Sequence, residues 1–203
     1  MIPAERTVHQ QAAAEADGLN ESRIAMQERY TFRRIEREEV PIMFSMILER
    51  MKWMDAKGIQ AWNATDYDKA YPQSFYELAR QRNEVFVVAD SRTAEIVSAA
   101  VLREQDDSWQ DDSPALYLHS FVSRIGSPNA GDLLLRFAEE YAAGSGKRYL
   151  RLDSAESNET LAAYYAKRGF VPAGKCEDGP YRGILRQKAL FQSISDDRKE
   201  EKL

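Results

Sequence analysis

With 203 residues, 43% hydrophobic and 30% charged, the chain has apolar material for one domain with extensions. Its net charge of −5 argues against a nucleic-acid binder that works by neutralising phosphates, and it suits a cationic amine substrate. A single cysteine, Cys176, excludes an internal disulfide, and it and two histidines, His9 and His119, argue against a Cys- or His-rich metal site, so no metal is expected.

Met1 to about Glu28 is rich in Ala, Gln and Glu, is broken by Gly18 and Asn20, and reads as a flexible arm. It has no apolar core of the signal-peptide kind, and no run reaches the length of a membrane span. A reducing, cytoplasmic setting follows as the expectation. Tyr30 to Ile35 alternates apolar and polar residues as a strand does. Val40, Met43, Phe44, Ile47, Met51 and Met54 recur at helical spacing over Glu38 to Lys57, with Pro41 near the start and Gly58 at the stop. A polar loop follows Trp62, and Pro72 to Arg82 reads as a second helix. Glu84 to Ala89 and Glu95 to Leu102 predict a hairpin. Asp106 to Pro114 is an acidic loop.

Ala115 to Val122 predicts a strand, Pro128 to Ala143 a helix, Tyr149 to Asp153 a strand, and Asn158 to Arg168 a helix. A strand, crossover helix and neighbouring strand imply a local parallel pair. Gly169 to Val171 and Tyr181 to Lys188 would finish the sheet as a hairpin, with Cys176 in the loop between. Ser193 to Leu203 is a charged, solvated tail. The expected domain spans residues 29–190.

Three features carry chemistry. The glycine-containing turn Arg124 to Gly131 feeds a helix N-terminus, where backbone N–H groups and the helix dipole favour a phosphate. Ser127-Pro128 reads as N-cap and first-turn residue. Asp132, in the first turn, suits the dipole but repels a phosphate. Tyr165 stands four residues before Gly169-Phe170. Its phenol could donate a proton, or it could be a core aromatic. His119, mid-strand, could relay a proton from an ammonium, or be a buried, hydrogen-bonded histidine. Glu104 or a carboxylate of the Asp106–Asp112 loop could act as base instead.

The phrases YLHSFVS, KRYLRLDS and NETLAAYYAKRGF, with GIQAW and the Trp109 loop upstream, resemble a bacterial branch of the GNAT superfamily of acyl-CoA-dependent N-acyltransferases. The resemblance covers about Tyr30 to Ala189. It implies an α/β (α+β) fold: a mixed, mostly antiparallel sheet with a splayed central parallel pair, flanked by helices. It implies acetyl-CoA as co-substrate, acetyl being the commonest donor in the family. The main chain of Phe121 and Val122 would pair with the pantetheine arm, and a backbone N–H nearby would polarise the thioester. Gly126, Asn129, Ala130, Gly131 and Asp132 would meet the pyrophosphate. This turn departs from the family: Gly126, Asn129 and Gly131 hold the slots of a basic residue or Gln, Gly, and Gly or Ala, and the turn is a residue short. Asn158 would lie near the pantetheine as well as capping its helix. Tyr165 occupies the family's thiolate-protonating position, and Tyr164 would only pack.

Trp62, Tyr67 and Trp109 fall in segments that would line the acceptor side, either covering an amine or packing a lid. Asp153 and Cys176 are assigned no chemistry. The expected activity is acetyl transfer to a primary amine of a small molecule or protein, by direct attack and without nucleic acid or membrane. The rival is a non-catalytic module of the same fold with a degenerate CoA site. The acceptor stays open, as does the oligomeric state, with a homodimer among the options.

Overall fold

The computed structural model describes residues 28–190. The N-terminal arm, apart from Glu28, and the C-terminal tail lie outside the described residues. Seven strands form one sheet in the order β1-β2-β3-β4-β5-β7-β6. They are β1 (Tyr30–Arg34), β2 (Val85–Asp90), β3 (Ile96–Arg103), β4 (Ala115–Ser123), β5 (Tyr149–Ala155), β6 (Val171–Asp178) and β7 (Tyr181–Ala189). All neighbours are antiparallel except β4 and β5, the parallel pair that the sequence order implies.

Helices α1 (Val40–Lys57), α2 (Tyr67–Ala70) and α3 (Gln73–Gln81) precede β2; α4 (Ala130–Gly144) and α5 (Glu159–Ala166) flank β5. Pro41 stands in the first turn of α1, where a missing N–H costs nothing. Gly58 ends it with φ +66°, its N–H on the carbonyls of Asp55 and Met54. The short helix α2 was not expected. Its segment is polar and too brief for a periodic signal.

Strands β2 and β3 are buried almost throughout, because both faces of the sheet are covered there. One face carries Phe86, Val88, Ala100 and Leu102 against Leu134, Ala138 and Ala142 of α4. The other carries Val85, Val87, Ala99 and Val101 against Val40, Met43 and Ile47 of α1 and Tyr76 of α3. Each fully buried aliphatic side chain contributes roughly 1.5–3 kcal/mol, so these two layers fix the sheet. Among the described residues no helix is long and apolar enough to cross a membrane.

Four expectations need correction. Helix α4 begins at Ala130, not Pro128, and Ser127-Pro128 is not its cap. Asn129 is the N-cap, with φ +60°, a left-handed value that interrupts the helix before it. The last hairpin is longer than predicted: Cys176 lies within β6, paired with Gly183, and not in a loop. Polar, glycine-containing β6 is an exposed edge, which hides its strand signal. Asp153 sits inside β5 rather than at its end.

Candidate active site at the parting of the central strands

The parallel ladder holds only three rungs: Ala115 with Tyr149, Leu116 with Leu150, and Tyr117 with Arg151. Beyond them β5 pairs with β7 alone, and β4 with β3 alone. The sheet therefore opens after Tyr117 and Arg151. Among the described residues one side of Leu118–Ser123 is left without a strand partner.

Within that opening β4 bulges. The β3–β4 register slips between Ala99 and Val101, and Ser120 adopts φ +49°. Two tyrosines hold this strained residue, with Tyr67 Oη 2.8 Å and Tyr76 Oη 3.3 Å from Ser120 Oγ. Past the bulge the Arg124 N–H bonds Val97 O at 2.8 Å. Alternation along an antiparallel ladder then gives Val122 to its partner Ala99 and turns the main chain of Phe121 and Ser123 toward the opening. Of the expected pair, Phe121 faces the gap and Val122 does not; Ser123 takes its place. Arg50 Nη2 already bonds Ser123 O, at 2.5 Å.

The turn from Arg124 to Asn129 leads from this edge into α4. Gly126 has φ +86°, as a turn glycine does. A Cβ on Gly131 would stand 2.8 Å from Tyr164 Oη and 3.3 Å from the Phe121 ring, so a larger residue would have to push those side chains aside. Ala130 is buried at the helix start. Asp132 does not stand bare before the turn. Its carboxylate accepts from Tyr164 Oη at 2.8 Å and from the guanidinium of Arg168, which also stacks on the Tyr164 ring. Tyr164 is thus more than packing. Arg124, the other cation of the turn, bonds Ile96 O at 2.8 Å and Glu95 at 3.1 Å.

Asn158 caps α5, its side chain accepting the Leu161 N–H at 2.9 Å. On the same helix Tyr165 is buried against Phe170 and Tyr164. Burial first, then the neighbouring Tyr164 and Asp153, push its phenol well above the ordinary tyrosine range, so it carries its proton at neutral pH.

On the opposite face His119 Nε2 lies 3.1 Å from Asp106 Oδ2, close enough to pair but poorly aligned for a hydrogen bond. Burial alone would raise the Asp106 carboxyl. His119 and the Ser108 N–H outweigh it and hold the group at about 2. Glu104, the other base considered, is engaged by Lys147 at 2.9 Å.

Next to this pair stands a cluster that the sequence reading did not assemble. Tyr181 Oη donates to Asp153, whose charge also helps to raise the phenols of Tyr71 and Tyr181 and the thiol of Cys176, in each case after burial. Asp106 and Asp178 add to the same field at Tyr71 and Cys176. Three carboxylates, Asp106, Asp153 and Asp178, thus converge on this cleft, and their field favours a cation. Trp62 stacks on Tyr67, and Tyr71 packs tilted against Tyr67, each 4.7 Å between centroids, walling the cleft. Trp109 is not part of that wall and lies over Arg151, 4.1 Å from its guanidinium.

Residues 51–170, more than half of the chain, match the family described as Acetyltransferase (GNAT) family. Among solved structures, an acetyltransferase GNAT family protein from Listeria monocytogenes 4b F2365 superposes with TM-score 0.65 at 22% identity, over 79% of this chain and 95% of that one. A PaiA N-acetyltransferase from Thermoplasma acidophilum, solved in complex with coenzyme A, gives TM-score 0.62 at 16% identity, over 79% and 98%. An acetyltransferase GNAT family protein from Streptococcus agalactiae 2603 gives 0.63 at 17%, over 79% and 95%. No curated protein matches the sequence.

Proposed function

As the chain belongs to the GNAT acetyltransferase family, we propose that it moves an acetyl group from acetyl-CoA to a primary amine, by direct attack of the amine on the thioester. The observation that carries this is the opening of the sheet beyond Tyr117 and Arg151, with a bulged, unpaired strand edge on one side and a proton-bearing tyrosine beyond it.

The residues fit the donor. The main chain of Phe121 and Ser123 would receive the amides of the pantetheine arm, as an added strand would. Gly126, Asn129, Ala130 and Gly131 would present backbone N–H groups to the pyrophosphate, with Asp132 neutralised by Arg168. Bound there, the donor supplies an activated acyl group and a thiolate leaving group.

The acceptor would enter from the face of Asp106, His119, Asp153 and Tyr181, whose field draws an ammonium. The amine must lose a proton before attack. His119 would take it, with Asp106 beside it to stabilise the charged ring. Tyr165 would then donate its proton to the leaving sulfur, and the second proton that the nitrogen sheds on becoming an amide would pass through solvent to restore the phenol. Burial raises the basicity of a thiolate as it raises that of the phenol, so the transfer is less uphill than the phenol alone implies.

The rival reading, a binding module without activity, is motivated by the turn, where Arg124 is spent on Glu95 and Arg168 on Asp132. Thermal shift and calorimetry with acetyl-CoA, followed by an amine panel, separate the two. Stabilisation at micromolar acetyl-CoA and acetylation of an amine support transfer. No shift at millimolar acetyl-CoA sinks it, and binding without acetylation of any amine favours the module.

A further inference from the structure

We propose that the groove between the Asp106–Pro114 loop and the open face of β5, β7 and β6 is an acceptor subsite for a carboxylate, received by Arg151 in exchange for Asp111. This rests on the transfer proposed above and names the acceptor as an amine that also bears a carboxylate.

The groove measures about 460 Å³, with Trp109, Asp111, Tyr149, Arg151, Lys175 and Gln187 among its walls. Arg151 is its charged floor. The guanidinium bonds Tyr117 Oη at 3.2 Å, Gln187 Oε1 at 3.2 Å, and both oxygens of Asp111 at 2.9 and 3.0 Å. These partners are not equivalent. Tyr117 and Gln187 are neutral and fixed on strands, so they orient the cation without cancelling it. Among the described residues Asp111 alone supplies the counter-charge, from a loop.

Exposure separates the two charged partners. The side chain of Arg151 is 3% exposed, that of Asp111 47%. A guanidinium this buried must keep a carboxylate, because an uncompensated buried charge is strongly destabilising. Nothing requires that carboxylate to belong to the protein. A ligand carboxylate could take the same fork of donors if Asp111 turns outward, at the cost of straining or losing the Ser113 N–H bond that its Oδ1 accepts at 2.8 Å. The Trp109 ring over the guanidinium would cover the exchanged pair.

The groove borders the position of Asp153. Leu185 lines it and is the cross-strand partner of Asp153. Arg151 and Asp153, alternate residues of β5, point to the same face about 7 Å apart along the strand. Arg151 also forms the last rung before the sheet opens. An acceptor with its ammonium at Asp153 and its carboxylate at Arg151 would therefore separate the two groups by roughly 5–8 Å, the span of roughly three to five methylenes.

A structural lock that merely pins the loop predicts different behaviour, and the test uses the difference in sign. Acetyl transfer is measured on linear ω-amino carboxylates and on their carboxamides, with the full chain. Arg151→Met should raise KM for the carboxylates about tenfold or more while leaving the carboxamides nearly unchanged. Asp111→Asn, by removing the competing carboxylate, should lower KM for the carboxylates about threefold or more. A lock predicts that both variants impair both series alike; that result, or equal KM values for carboxylates and carboxamides in the unaltered protein, overturns the proposal. If Arg151→Met or Asp111→Asn does not fold, Arg151→Lys and the comparison of carboxylates with carboxamides in the unaltered protein carry the test. Calorimetric titration of the N-acetylated ω-amino carboxylates needs no turnover. Binding that strengthens in Asp111→Asn, without acetylation of any amine, keeps the subsite and removes the transfer reading. Acetylation of amines without such binding does the reverse.

Discussion

Arg168, from just beyond α5, closes on Asp132 at the N-terminus of α4, and its guanidinium stacks 3.4 Å from the centroid of the Tyr164 ring between them. The carboxylate that would oppose a phosphate is thus matched by a cation. The pair contributes no net charge to the turn, and removing either member changes that.

Asp132→Asn should tighten CoA binding, because it frees Arg168 beside the helix N-terminus. The gain expected from one such charge is about two- to tenfold in Kd. Arg168→Ala should weaken binding by at least as much, leaving Asp132 facing the phosphate. Calorimetry at two salt concentrations checks both, since the differences should shrink as salt screens them. Identical affinities for the three proteins would mean that no phosphate sits at this turn.

Tyr165→Phe removes the proton and keeps the ring that packs on Phe170. Turnover should fall about a hundredfold or more, with the donor Kd nearly unchanged. Tyr164→Phe is the control on the same helix: it should disturb Asp132 and donor affinity more than kcat. Unchanged turnover in Tyr165→Phe would remove the role proposed for it.

Periodicity made the scaffold legible. The alternation in Tyr30–Arg34, the helical spacing after Pro41 and the stop at Gly58 each came from residues whose local preference agrees with the fold. The parallel pair followed from element order. What stayed hidden depends on register. Whether Phe121 or Val122 faces the gap is decided by the bulge at Ser120, and a one-residue slip exchanges them. Asp153 and Arg151 could have been placed on one face by counting, but the partners that give them meaning, Tyr181 and Asp111, arrive from a hairpin and a loop with no periodic signal. Asp132 read as repelling a phosphate for the same reason: its compensating Arg168 stands 36 residues later.

Asp106 predicts a pH signature. Its carboxyl is held at about 2, below the ordinary 3.8, so its interactions stabilise the fold in the ionised form. That contribution is complete above 3.8 and is lost as pH falls through about 2. The stability gap between the unaltered protein and Asp106→Asn, read from urea unfolding, should therefore be level at neutral pH and close on acidification across that window. The same substitution should lower kcat about tenfold or more if the carboxylate supports proton uptake by His119. A stability gap that closes without any loss of kcat would leave Asp106 a structural partner only.

Cys176 should report on the proposed acceptor cleft. Burial, then Asp153 and Asp106, push its thiol up to about 11, so it stays protonated at neutral pH. Because it is the only cysteine, alkylation by iodoacetamide reads this one group. The rate should climb by about tenfold per pH unit well beyond the range of an ordinary thiol, since only the thiolate reacts. Asp153→Asn should move the rise to lower pH by relieving part of the repulsion, and a bound cationic acceptor should do the same or block access. Direct attack needs no acyl-thiol on the protein, so Cys176→Ser should leave turnover within about twofold. A large loss of turnover, with an acetyl group recovered on Cys176, would replace direct attack with a two-step transfer through that sulfur.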